Sequence, residues 1–418
     1  MSTLHGRRVL VTDAHTTSAL AVVRSLGAAG MSVTAAGELG RFNLASHSRY
    51  VSRAVALPSA DEQPTAYAEQ LLTELEQTPY DVLIPTTDTT IAILRRYRAD
   101  VERRVRVALP SDEALNAAQD KQITLERARA EGVAVPRTRV FASVFELDRE
   151  AERLTYPCVV KPRFSRYWDG AGPIARGTAQ YAYSAASLRE IFKRAGQSAD
   201  MLLVQEFVAG EAIGVFALMD EGQPRVVFAH RRLREANPTG GRASLAESIP
   251  PDERFTAPAL RLLRAVRWSG VAMVEFKDPS ASAAPVVMEI NGRFWGSLPL
   301  AIAAGVDFPL LLVQQVLGLE LTIPRTYAYG VRCRHLKSDL SYLAAAIKGR
   351  PAFWSGAFPG RLQAIAAVAP WPGRWHSYNL RATDPLPAVR EAIDFVRREA
   401  RSRSRARGSS VKQASQHV

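Results

Sequence analysis

Between Val286 and Ser297 the chain sets Glu289, Asn291 and Arg293 at alternate positions of an apolar run. Successive side chains of a strand point to opposite faces, so these three share one face while Met288 and Ile290 take the other. A hard cation such as Mg2+ takes oxygen ligands and completes its shell with water and substrate phosphates, and a guanidinium grips an anion with a rigid fork. Burying three polar groups among apolar neighbours is costly unless they find partners. Upstream, the apolar run Gly270–Phe276 supplies Glu275, which taken alone reads equally well as a strand-edge carboxylate facing water. With Asn291 and Arg293 beside them, two carboxylates on adjacent strands would make a metal and phosphate site.

A lysine closes another apolar run. Tyr156-Pro157-Cys158-Val159-Val160-Lys161-Pro162 carries an ammonium to the rim of a core, where it needs an anion, and phosphate is one. The next residues, 163–172, mix Ser165, Arg166, Asp169 and two glycines; they suit a mobile loop folding over phosphates, or a plain surface loop. The strand-like Asp200–Val208 breaks into Ala209-Gly210-Glu211. Such a break exposes backbone donors and acceptors beside apolar Phe207 and Val208, which suits a flat heterocycle. Arg231, Arg232 and Arg234 precede a Pro/Gly-rich loop, and each reads either as facing an anion or as part of a solvated basic strand. His230 reads as a satisfied structural histidine.

These blocks resemble the ATP-grasp superfamily, in particular its carbamoyl-phosphate-synthetase-like and carboxylate–amine ligase branch. The resemblance rests chiefly on Glu289-x-Asn291-x-Arg293 and extends over residues 120–309. It implies an α/β (α+β) ATP-grasp fold: a Rossmann-like N-terminal domain, a small lid and a larger catalytic subdomain, with ATP between the last two. It also implies Mg2+, with Mn2+ as the alternative, held by Glu275, Glu289 and Asn291, and Arg293 acting on the reacting acyl phosphate. Asp120-Lys121 followed by Gly132-Val133 and Pro136 is similar to the opening segment of the family, with Lys121 on ATP phosphate. Taken alone, Lys121 reads as a surface lysine. Lys161 and its loop are similar to the strand-Lys-Pro and flexible loop over the phosphates. Gln205, Glu206, Phe207 and Val208 are similar to the hinge whose backbone meets the adenine edge, and Glu211 would then take the ribose hydroxyls. The expected divisions are 1–115, 116–325 (lid about 125–203, catalytic part about 204–325), a 326–396 extension and a basic disordered tail at 397–418.

The elements that must position these residues follow from periodicity. Arg7–Thr12, a helical Thr16–Ala29 ended by Gly30, and Met31–Ala36 make a β-α-β unit, which predicts a parallel sheet covered by helices. Its first turn, Asp13–Ser18, lacks the Gly-x-Gly-x-x-Gly that brings a backbone close to a pyrophosphate, which argues against NAD. Asp88 follows the buried strand Asp81–Pro85 and reads as a helix N-cap or as a residue facing substrate. A helix is expected over Leu115–Glu131, with Asp120 and Lys121 inside it, and a hairpin about Asp220-Glu221-Gly222. Leu298–Leu319 reads as two core helices broken at Val306–Pro309. Farther on come a strand near Gly330–Leu336, a helix at Leu340–Lys348 and an amphipathic helix at Pro385–Arg401. The Trp-, Pro- and Gly-rich Pro351–Arg374 reads as a surface lid or an interfacial membrane segment.

A chain of 418 residues has room for two or three cores, and 47% apolar with 23% charged residues is a globular balance. Two cysteines in apolar surroundings, Cys158 and Cys333, give no disulfide framework and fit a reducing cytoplasm. No signal peptide is visible, and the longest apolar stretch is interrupted by Pro299, Asp307, Pro309, Gln314 and Gln315. About half of the +13 net charge sits between Arg397 and Val418, on a Ser/Arg/Gln-rich end, so the sequence asks for no specific nucleic acid; acidic lipid is the alternative partner of that end. The expected activity is an ATP- and Mg2+-dependent ligase that joins a small-molecule carboxylate to an amine through an acyl phosphate, in a monomer or homodimer. The alternatives are an ATP-grasp enzyme with bicarbonate as acceptor and a non-catalytic ATP-binding protein.

Overall fold

The computed structural model describes residues 4–141, 143–196, 202–280, 283–351, 354, 356–369 and 375–397. Apart from Arg397, the expected basic tail lies outside the described residues. An N-terminal sheet has the order β3-β2-β1-β4-β5, all parallel: β1 (Arg8–Val11), β2 (Ser32–Glu38), β3 (Arg53–Leu57), β4 (Val82–Ile84) and β5 (Arg106–Val107). The helix Thr17–Ala28 crosses from β1 to β2, with the Thr16 side chain accepting from the Ala19 N–H at its start. Gly30, at φ +85°, ends it: the Met31 N–H reaches the Leu26 carbonyl and buried Met31 sits with buried Leu26 in one core.

The second sheet is antiparallel, in the order β10-β7-β11-β6: β6 (Thr138–Val140), β7 (Cys158–Pro162), β10 (Gln180–Ala182) and β11 (Leu202–Glu206). Between β7 and β10 lies a two-stranded ribbon, β8 (Arg166–Tyr167) with β9 (Ala175–Arg176). The ribbon's loop, expected to close over phosphates, is instead packed on the N-terminal unit. Ile174 is buried in the core of that unit, Trp168 packs against it, and Arg166 and Arg176 pair with Asp61. Its bulky apolar side chains are what anchor it there.

The large sheet runs β16-β15-β12-β13-β14-β17-β18: β12 (Glu211–Asp220), β13 (Gln223–Glu235), β14 (Ala243–Ile249), β15 (Gly270–Asp278), β16 (Val286–Asn291), β17 (Arg332–Arg334) and β18 (Trp375–Ser377). Only its last pair, β17 with β18, is parallel. Residues expected to lie in a separate extension therefore complete this sheet. One of its faces is covered by the helix Glu253–Ala265; the other shares a core with Thr17–Ala28, Leu298–Ala303 and Phe308–Leu317. That shared core joins the large sheet to the N-terminal sheet.

Three local expectations are corrected. The helix expected over Leu115–Glu131 is two helices, Asp112–Gln119 and Lys121–Ala130, because the Asp120 side chain accepts from the Gln122 N–H and caps the second. The N-cap of Asp88–Arg96 is Thr87, not Asp88, which leaves Asp88 free to point elsewhere. His230 is buried without a hydrogen-bond partner on either ring nitrogen among the described residues; it stacks edge-on against Phe216 at 4.6 Å instead. No helix among the described residues is long and apolar enough to cross a membrane.

Candidate active site

Glu275 and Glu289 are direct cross-strand partners on β15 and β16. Two carboxylates placed opposite each other repel, so the pair needs nearby cations. A register shift between Glu275 and Phe276 leaves Met288 as the extra residue of β16, since Phe276 pairs with Val287. Strict alternation fails there: Met288 joins Glu289 on the wall of the cleft instead of taking the opposite face, while Val287 and Ile290 go to the core. The Asn291 amide donates to Glu289 Oε1 at 2.9 Å, and Arg293 Nη2 donates to Asn291 Oδ1 at 3.1 Å. Arg293 Nε in turn donates to Asp88 Oδ2 at 2.9 Å. Asp88 is held at the end of β4 beside Thr86, Thr87 and Thr90, all of which donate to the buried Asp13 carboxylate. Asp13 itself takes the left-handed φ of +58°, a cost those hydrogen bonds offset.

Cations close the arrangement from three elements. Lys161 comes from β7 of the second sheet and lines the same cleft as both carboxylates. Lys121, at the start of its helix, is mostly buried rather than a surface lysine, and its Nζ donates to Ser165 Oγ at 2.8 Å. Arg232, on β13, forms an ion pair with Glu275 across β12. Between them lies Gly214, which pairs with both His230 and Glu275; a Cβ there would come within 2.7 Å of the Phe216 ring and 2.9 Å of the His230 ring. Of the three arginines left open by the sequence, Arg232 thus belongs to the carboxylate pair. Arg231 pairs with Glu247, and Arg234 with Asp339.

The electrostatics split the two carboxylates. Burial pushes the Glu275 carboxyl up; Arg232 opposes this, Glu289 adds to it, and the group stays above the ordinary carboxylate range. Burial acts on Glu289 too, but Lys161, the Asn291 amide, Lys121 and Arg293 together outweigh it and hold that group below the range. Burial, reinforced by Lys161, holds the Lys121 ammonium below the usual lysine range against the pull of Glu289 and Asp88. Asp88 keeps the partly buried Arg293 guanidinium above its ordinary value despite desolvation.

The cleft holding these groups has a volume of about 870 Å³ and lies between the second and the large sheet. Phe207, Val208 and Glu211 line it, as do the backbone of Gly210 and the side of Glu206, whose carboxylate is engaged by Arg137. Phe207 stands edge-on to Tyr181 at 6.1 Å and to Trp354 at 5.8 Å. Neither ring was legible as a site residue, because each meets Phe207 only through the fold. Gln205 is not on this wall: its buried side chain donates to Thr138 Oγ1 at 3.1 Å and faces a separate cavity of about 420 Å³. Glu206, at the end of β11, borders both cavities, whereas Gln205 borders only the smaller one.

Two carboxylates and an amide oxygen suit a hard divalent cation that keeps waters and phosphate oxygens in its shell. Their like charges, buried side by side and balanced only by lysines and arginines, fit such a group. Among the described residues there is no cluster of three or more His, Cys, Asp or Glu side chains that could hold a metal ion by themselves, so a cation at this pair would take the Asn291 oxygen, water or phosphate as further ligands.

A family model described as "ATP-grasp in the biosynthetic pathway with Ter operon" matches residues 198–338. The large chain of carbamoyl phosphate synthase from Archaeoglobus fulgidus is 26% identical over 222 residues, covering 50% of this chain and 20% of the relative. The chain thus spans about a fifth of the length of that relative. Among solved structures, the biotin carboxylase domain of the Hydrogenobacter thermophilus 2-oxoglutarate carboxylase, in complex with MgADP, ADP and bicarbonate, superimposes with a TM-score of 0.61 at 16% identity, over 78% of this chain and 73% of that one. The L-amino acid ligase of Bacillus licheniformis gives 0.55 at 15%, over 75% and 74%. Fold and sequence agree: the chain has the ATP-grasp fold, and its residues 198–338 match an ATP-grasp family.

Proposed function

We propose that this protein is an ATP- and Mg2+-dependent ligase that activates a substrate carboxylate for attack by an amine. The observation that carries the reading is the directly opposed Glu275–Glu289 pair, tuned in opposite directions and ringed by Lys161, Lys121, Arg232 and Arg293 at the edge of a two-sheet cleft. Glu275, Glu289 and Asn291 would hold Mg2+, which when bound offsets phosphate charge. Lys121 and Lys161 lie where they would neutralise the triphosphate, and Phe207, Val208 and the Gly210 backbone would take the base, with Glu211 toward the ribose.

In the chemistry proposed, a carboxylate oxygen attacks the γ-phosphorus, the bond to the β–γ bridging oxygen breaks and ADP leaves. The amine nitrogen then attacks the acyl carbon, the carbon–oxygen bond to phosphate breaks, and the amine proton is lost to solvent. Arg293, oriented by Asp88, is placed to stabilise the oxyanion and the departing phosphate. The packed ribbon and the cleft walls would keep water from the acyl phosphate. Bicarbonate as the acceptor is the second reading, favoured by the bicarbonate bound in the 2-oxoglutarate carboxylase domain.

The test is ADP and phosphate release from Mg-ATP with pools of carboxylates and amines. Turnover that requires a carboxylate and an amine, reduced about 100-fold or more by Glu289→Gln, is the expected result. Turnover with bicarbonate alone would select the second reading, and unchanged turnover in Glu289→Gln would remove the site.

A further inference from the structure

The end of the described chain carries an inverted helix. Residues 386–397 are helical, and Leu386, Val389, Ile393 and Val396 recur at spacings of three, four and three, so they form one stripe. That stripe faces out: Leu386 is 46% and Val396 65% exposed. The side turned to the protein holds Pro387 and Glu391, whose carboxylate accepts from the Asn379 amide. The helix is fixed in this orientation at its start, where buried Asp384 accepts from Arg24 Nε at 2.8 Å and Ser48 Oγ at 2.7 Å. A helix of a globular protein ordinarily does the reverse.

The stripe is part of a wider bias. Among the described residues, eleven of the eighteen exposed large apolar side chains lie after Leu336, including Leu340, Leu362 and Ile365 on two neighbouring helices. The charge is biased too. From Leu336 to Val418 the sequence has fourteen Lys and Arg against five Asp and Glu, a net +9 of the chain's +13. Arg390 and Arg397 flank the stripe, and Arg398, Arg401, Arg403, Arg405 and Arg407 follow it in the sequence.

We propose that this C-terminal region docks on an anionic lipid surface, with the Leu386–Val396 stripe set among the acyl chains and the surrounding arginines on the headgroups. Apolar exposure beside dense positive charge is the pairing that such a surface satisfies: the stripe supplies buried area and the cations supply attraction to acidic lipid. A second copy of the chain fits poorly, since it brings the same excess of positive charge, with Arg390 and Arg397 beside its own stripe. Nucleic acid would answer the arginines and leave the aliphatic stripe in water.

Vesicle co-sedimentation of the full chain tests this, using phosphatidylcholine alone and phosphatidylcholine with phosphatidylglycerol. The protein should pellet with the anionic vesicles only, and less as salt is raised. Ile393→Glu with Val396→Glu should weaken retention about tenfold or more, while Leu39→Glu, at an exposed apolar site elsewhere, should not. Circular dichroism identifies a misfolded variant, and in that event Arg403→Gln with Arg405→Gln and Arg407→Gln provides the same test through charge. Absence of pelleting, equal pelleting on neutral vesicles, or full retention by these variants would overturn the proposal. So would a dimer in light scattering that the two glutamates split, or retention by RNA where vesicles hold nothing.

Discussion

Two residues apart on β13, Arg232 and Arg234 enter two buried charge clusters of different kinds. Arg234 donates through Nε to Ser244 Oγ at 2.9 Å and pairs with Asp339, which also takes Arg334 at 2.5 Å; Arg334 then donates to the Val368 carbonyl at 2.7 Å. Every charge there has its partner inside the protein. Arg232 reaches Glu275, but Glu275 lies opposite a second carboxylate, and the cations that balance the pair come from three separate elements around an open cleft. Register shifts on either side of Arg234 separate the two arginines. The contrast teaches where a buried charge is structural and where it awaits a ligand: a closed set of partners locks the C-terminal segments to the sheet, while an acid pair facing open space is completed from outside.

Breaking each cluster should give opposite behaviour. The largest effect is expected for Asp339→Ala, which strands two buried guanidinium groups and should cost about 3–5 kcal/mol in denaturant unfolding. ATP affinity of the folded protein should not change with it. Arg232→Met should cost less, about 1–3 kcal/mol, because Glu275 already sits above the ordinary carboxylate range and gives up its charge readily. Saturating Mg2+ should restore part of that loss and none of the loss in Asp339→Ala. If Mg2+ rescued both or neither, the distinction between the clusters would fail.

A third buried charge-bearing group sharpens the comparison because it has no hydrogen-bond partner among the described residues. Burial, aided by Arg232, pushes the His230 imidazole down to about 3, against about 6.5 in an unfolded chain. The folded state then binds fewer protons than the unfolded one, so the stability it contributes is complete above pH 6.5 and lost as pH falls toward about 3. The slope is at most about 1.4 kcal/mol per pH unit. His230→Phe, which keeps the stack on Phe216, should flatten the acid limb of unfolding free energy; His335, also pushed down by burial, to about 4, leaves a residual slope. An unchanged limb would mean that His230 is protonated in the fold.

How much of this was legible depends on how local the chemistry is. Glu289 and Asn291 lie on one strand and Arg293 two residues past Asn291, just beyond its end, so the shared face that lets them hydrogen-bond in series follows from spacing. The parallel N-terminal sheet was legible for the same reason, from a helix between two apolar runs. Arg232 could not be chosen among its neighbours, since its partner is 43 residues away and reached over a glycine on an intervening strand. Met288 was misplaced because nothing in its sequence announces a bulge. The break at Asp120 was hidden by apolar periodicity that continues through it; the break is made by a side-chain hydrogen bond. Gln205 went to the wrong side because a hinge known only by resemblance does not fix which residue faces the cleft.

The most direct measurement is calorimetric titration of ATP into the protein with and without Mg2+, for the native sequence and for Glu275→Gln with Glu289→Gln. The acid pair as metal holder predicts that Mg2+ tightens ATP binding about 10-fold or more in the native protein and that the gain vanishes in the double variant. Equal tightening by Mg2+ in both proteins would contradict it.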